Sequence, residues 1–144
     1  MIFDKQNLFS DAQAVTSTAV STNVIDFGPV DTPQHAVGAI HRDLGKGNKA
    51  KLRVQVVTTF NTLTSIAPVL QGSVDEAFSS PVAVKTLATV ALADLVAGYV
   101  WNEDDLPRGS IYRYMRLNYV VAGTPATLGN ITAGLVFDNE EIAP

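Results

Sequence analysis

Cysteine is absent from the 144 residues, which excludes disulfide staples, thiolate nucleophiles and zinc–thiolate sites together. Charge is scarce: Asp, Glu, Lys and Arg make up 17% of the chain. Lys and Arg number 10 against 14 Asp and Glu, for a net charge of −4, so the basic excess that phosphate-backbone binding requires is missing and nucleic acid is not an expected partner. Only two histidines occur, His35 and His41, and no carboxylate flanks them at a metal-ligand spacing, so no metal site is expected. Long apolar runs are also missing. The longest, around residues 87–100, is interrupted by Thr89, Asp94 and Gly98 and falls short of the roughly 20 residues of a membrane span. The opening MIFDKQNLFSDAQ lacks a basic stretch followed by an unbroken apolar one, so a secretory signal is not expected and synthesis in the cytoplasm is.

What is present is hydrophobic and β-branched. Apolar residues reach 47%, with Val and Thr throughout, and a chain of this length hides roughly 68% of its unfolded surface in one domain. Residues 111–137, IYRYMRLNYVVAGTPATLGNITAGLVF, carry the clearest pattern. Met115, Leu117, Tyr119 and Val121 fall on one side of a pleat and Tyr112, Tyr114, Arg116 and Asn118 on the other. Ile131, Ala133, Leu135 and Phe137 then repeat the alternation after a loop holding Gly123, Pro125 and Gly129, so the stretch reads as a hairpin with one core face. A second strand is legible at 52–60 and another at 63–71, where Pro68 points to an edge or a bulge because it has no N–H to donate. Shorter strands are read at 24–27, 34–40, 82–87 and 95–101, with a helical turn possible within 88–94. Frequent turn signals and the lack of an amphipathic helix to cover a parallel sheet predict a jelly-roll-like antiparallel β-sandwich. Residues 1–23 alternate poorly and read as an extended N-terminal arm, leaving 24–144 as a single sandwich domain.

Candidate chemistry is thin. The Gly45-Lys46-Gly47 turn lacks the spacing of a phosphate loop and runs into a strand, so it reads as structural. Lys46, Lys49, Lys51 and Arg53 form a basic group that suits solvent or an acidic protein surface. The pairs Asp104–Asp105 and Asp75–Glu76 lack the alternating pattern of a calcium loop. Ser73 and Ser110 follow glycines outside any G-x-S-x-G elbow. The sequence therefore offers no catalytic residues, no cofactor site and no enzyme.

Several stretches in order resemble one family: MIFDKQNLFSDAQAV at the start, NVIDFG at 23–28, DLGKG at 43–47, AFSSP at 77–81, and LPRGSIYRYMRLNYVVAGTPATLGNITAGLV near the end. Together they are similar to the capsid cement, or decoration, proteins of short-tailed bacteriophages. The resemblance implies a jelly-roll-like domain on the outer surface of the virion head. It would bind the major capsid protein in many copies, paired as homodimers, and clamp neighbouring subunits of the DNA-filled head.

Two surfaces follow as candidates for capsid or dimer contact. One is the apolar set Ile2, Phe3, Leu8 and Phe9, which is costly in water and has to pack on the domain itself or on a neighbouring subunit. The other is the outward trio Tyr112, Tyr114 and Arg116. A different class stays open at this point: a carbohydrate-binding β-sandwich for host attachment, stacking sugars on Trp101 and the outward tyrosines.

Overall fold

The computed structural model describes residues 3–29, 31–40, 42–46, 50–103 and 105–137. Among the described residues, ten strands form two antiparallel sheets: β1 (Leu8–Ala14), β2 (Ala19–Val20), β3 (Ile25–Asp26), β4 (Lys51–Thr58), β5 (Leu63–Ser73), β6 (Val82–Thr86), β7 (Val90–Ala91), β8 (Val100–Glu103), β9 (Tyr114–Gly123) and β10 (Asn130–Val136). One sheet, A, has the order β1-β10-β4-β8. In the other, B, β9 and β5 are central, β2 and β3 both pair with β9, and β6 and β7 both pair with β5. Each of those pairs acts as one broken edge strand. The result is two four-ribbon sheets whose edges the chain reaches by repeated crossing, the connectivity of a jelly roll.

The core lies between the sheets and follows the pleat. Leu52, Val54 and Val56 of β4 face Met115, Leu117 and Tyr119 of β9, all fully buried, with Phe9, Ile66, Leu70, Ile131 and Ala133 around them. The predicted inward register of β9 is therefore the observed one. Phe137, placed on the core side by alternation, lies beyond the end of β10 and is exposed.

Residues 111–137 do not form a hairpin. β9 pairs with β5 from Leu63 opposite Gly123 to Ser73 opposite Tyr114, whereas β10 pairs with β1 and β4 in the other sheet. The loop between them crosses the sandwich, a step of about 10 Å, because its backbone is bonded to neighbouring loops. Ala126 N–H donates to Thr16 O at 2.7 Å, and Thr127 and Leu128 N–H both donate to Asn61 Oδ1 at 2.9 Å. The two apolar faces do meet, but across the core.

Pro68 occupies neither an edge nor a bulge. It lies in β5, inside sheet B, opposite Tyr119 on β9. Its carbonyl accepts from Leu87 N–H, and in a strand the nitrogen faces the same neighbour as the carbonyl. That neighbour is the gap where β6 ends and β7 has not begun, so no ladder bond is lost. Residues 34–40, read as a strand, are an exposed loop closed at its base by Ile40 N–H to Asp31 O. The strand expected at 95–101 starts at Val100, after a single 3-10 turn at Leu92–Asp94.

The arm expected over 1–23 gives way to strands from residue 8 onward. β1 is the outer strand of sheet A, and its poor alternation has a local cause: register shifts between Leu8 and Ser10 and between Ser10 and Gln13, with Ala12 at φ 46°. Those irregularities turn both Phe9 and Ser10 into the interior. Further back, Asn7 O, Phe3 and Leu8 crowd Gly134 so closely that any Cβ there would lie 2.8 Å from Asn7 O. Phe3, Leu8 and Phe9 thus pack on their own domain, and Ile2 lies outside the described residues.

Candidate interaction surface

Of the outward trio, Tyr114 and Arg116 share the outer face of sheet B and Tyr112 leaves it. Tyr112 precedes β9, and its ring lies on Gly72, where a Cβ would collide with it; a glycine there admits the ring against the core. Arg116 is half-buried. Its Nε donates to Gln71 Oε1 at 2.9 Å, and its guanidinium lies 4.1 Å from the centre of the Phe78 ring. Phe78 reaches that position at the tip of the 74–81 loop, with φ 53°, where Asp75 Oδ1 accepts from Ser79 N–H at 3.0 Å. The AFSSP stretch at 77–81 thus works as a flap holding Arg116 flat on the sheet. No periodicity in the sequence signals it.

Tyr114 carries the Arg113 guanidinium 4.9 Å from its ring centre, while Arg113 forks onto Asp26 through Nε to Oδ1 at 3.0 Å and Nη2 to Oδ2 at 3.1 Å. That fork, joined by the Gly28 N–H, holds the Asp26 carboxyl below the usual carboxylate range. Nearby, Asp43 accepts from Gly109 N–H at 2.8 Å and from Gly45 N–H at 2.9 Å, which lowers its pKa in the same way. The two aspartates fasten both ends of the long β3–β4 connection. Beside it Pro29, Asp31, Val74, Ile111 and Arg113 line an open recess of about 190 Å³.

The other candidates disperse. Phe3 and Leu8 lie against Gly134 of sheet A, on the opposite side of the sandwich from Tyr114 and Arg116, so the residues singled out do not make one surface. Within the basic group, Arg53 is buried in β4 with Nε and Nη1 lacking hydrogen-bond partners among the described residues, and Lys49 lies outside them. His35 is exposed at φ 66°, and His41 and Asp104 lie outside the described residues. Among the described residues no group of three or more His, Asp or Glu is placed to hold a metal ion. Trp101 is buried, donating Nε1–H to Ala88 O at 2.9 Å, with Tyr99 edge-on at 4.9 Å. An indole so placed has no free face for a sugar.

Sequence reasoning missed the polar chain that ties the two sheets at their β1–β2 edge. Ser10 Oγ donates to Gln13 Oε1 at 2.7 Å, so the 2.8 Å bond between Ser10 Oγ and Tyr119 Oη takes its proton from the tyrosine. Gln13 Oε1 also accepts from Thr22 N–H, and Gln13 Nε2 donates to Val20 O, both at 2.9 Å. Burial pushes the Tyr119 phenol well above its ordinary value. On the opposite edge, Lys85 and Glu103 bridge β6 and β8 at 3.1 Å.

Taken together these features define a β jelly roll whose polar side chains largely serve its own backbone and loops. The chain matches the Bbp16 family model over residues 9–135 and belongs to that family, a family of bacteriophage proteins. No curated protein matches it.

Proposed function

We propose that the chain is a structural cement protein of a bacteriophage head. It binds the outer surface of the capsid, clamps neighbouring major capsid protein subunits and stabilises the DNA-filled shell, with copies paired as homodimers and no catalytic role. The observation that carries this reading is that the phage-family match runs from within β1 to within β10, so the family is defined by the whole sandwich and not by a grafted site. The net charge of −4 favours a protein partner over the packaged genome. The resemblance of residues 106–136 to the decoration proteins points the same way. The buried Trp101 argues against the carbohydrate-binding alternative.

Purified virions test the proposal. The protein should be present at fixed stoichiometry to the major capsid protein, and heads assembled without it should release DNA at lower temperature or under osmotic shock. Absence from virions, or undiminished robustness of heads that lack it, would overturn the cement role.

A further inference from the structure

β4 carries a buried charge that the described residues do not answer. Alternation along the strand sends Leu52, Val54 and Val56 into the core and Arg53 to the outer face of sheet A, yet Arg53 is only 7% exposed. Directly opposite it on β10, Gly134 lies beneath Asn7 O and Phe3, so the N-terminal segment roofs this part of the face. A guanidinium is charged at every working pH and has only donors. Buried, with Nε and Nη1 unbonded among the described residues, it calls for an anion, because a charge stripped of water and left unpaired is strongly destabilising. Two described acids of neighbouring segments are committed elsewhere. Asp4 accepts from Gln6 N–H at 3.1 Å and from Asn7 Nδ2 at 3.3 Å, and Glu103 is paired with Lys85 at 3.1 Å.

We propose that Arg53 is the receptor of a carboxylate site on the outer face of sheet A, and that the acidic stretch Asp138-Asn139-Glu140-Glu141 of the same chain supplies the ligand. That stretch lies outside the described residues, but β10 fixes where it starts. β10 ends at Val136, opposite Lys51, so the chain leaves the sheet one strand across from Arg53 and two residues along, about 8 Å away by strand geometry. Four extended residues span about 13 Å, enough for a segment that turns back after Phe137 to cross β4. Three carboxylates within four residues match the buried guanidinium and the Lys51 ammonium two residues from it on the same face. A separate protein is the less favourable source of the anion. An enclosed guanidinium offers it no open approach, whereas a tethered stretch is held beside the site at high effective concentration. Bound there, residues 138–141 strap the end of β10 across β4, a role independent of the cement reading.

The test is a double-mutant cycle on the full-length chain, read by urea unfolding. Asp138→Asn, Glu140→Gln and Glu141→Gln made together keep the size of the stretch and remove its charge. They should lower the folding equilibrium constant about 10- to 100-fold, the worth of hydrogen bonds to a charged group. In an Arg53→Met background, where no charge remains to be answered, the same three changes should alter it less than about twofold. An equal loss in both backgrounds, or no loss in either, overturns the proposal. So does a stabilising Arg53→Met in the otherwise unmodified chain, which would mean that the guanidinium has no ligand. Asp104→Asn separates the other acid adjoining this sheet: if it alone reproduces the loss and the coupling, Asp104 is the ligand and the assignment to 138–141 is wrong. A direct readout covers the case in which Arg53→Met does not fold. The Arg53 Nε–H resonance should exchange slowly in the unmodified chain and shift in the triple variant, and identical spectra overturn the proposal.

Discussion

The bond between Tyr119 and Ser10 joins β9 of one sheet to β1 of the other through the core, and it sets a quantitative test. Tyr119→Phe removes the donor and leaves a Ser10 lone pair unfilled in the interior, at a cost of about 1 to 2 kcal/mol. Ser10→Ala strands the fully buried phenol without its partner and also releases Gln13 from one of its partners, at a cost of about 2 to 3 kcal/mol. The double variant removes both ends, so its cost should fall short of the sum of the single costs by about 1 kcal/mol. Urea unfolding is the assay, followed by the fluorescence of the single, buried Trp101. A second readout uses pH. Because burial raises the folded pKa of Tyr119, the folded state holds a proton that the unfolded chain releases, so this contribution to stability is complete below about pH 10 and declines above it. Tyr119→Phe should abolish that alkaline decline. Additive costs within about 0.5 kcal/mol would show that the pair is not coupled and that the sheets are not joined there.

Other expected outcomes follow from the same core and loops. Leu117→Ala, at a fully buried site facing sheet A, should cost about 2 to 5 kcal/mol in urea unfolding, and an unchanged midpoint would mean the register of β9 is wrong. Deleting residues 1–10 removes Phe9 and Ser10 from the core, so the truncated chain should lose at least the roughly 3 to 5 kcal/mol of a Phe→Ala change; a near-normal melting temperature would restore the arm as a separate element. The carboxyls of Asp26 and Asp43 have folded pKa values below their unfolded ones, so their contribution is complete at neutral pH, begins to decline near about pH 4 and is lost as pH falls through the folded values. Asp43→Asn should flatten that acid decline, and an unaltered profile would remove Asp43 as a fastener of the β3–β4 connection.

Alternation made single strands legible because it depends only on neighbours in sequence. Met115, Leu117 and Tyr119 declare an inward face by period two whatever lies beside them. Strand partners depend on non-local pairing, and there the local reading failed: the turn-rich residues 123–129 look like a hairpin loop but serve as a crossing between sheets. The signal for that crossing was divided between Thr16, Asn61 and the loop itself, more than 40 residues apart in the chain. The outward trio failed at one member for a similar reason. Extending the period of β9 back to Tyr112 assumed the strand began there, whereas Gly72 on the neighbouring strand leaves a gap that draws the ring inward.

The N-terminal segment shows how a bulged edge strand can pass for an arm. Two register shifts within seven residues erase the period that identifies a strand, yet they are what allow Phe9 and Ser10, adjacent in sequence, both to face the core. A regular strand would have placed one of them outside. With Phe9 inside alone, Tyr119 would be buried without a partner; with Ser10 inside alone, the apolar space beside Leu117 and Ile131 would be underfilled. The irregularity is thus the means by which one short segment supplies both an apolar filler and a polar partner. It also makes Phe3, Leu8 and Phe9 a part of the sandwich and not a free anchor.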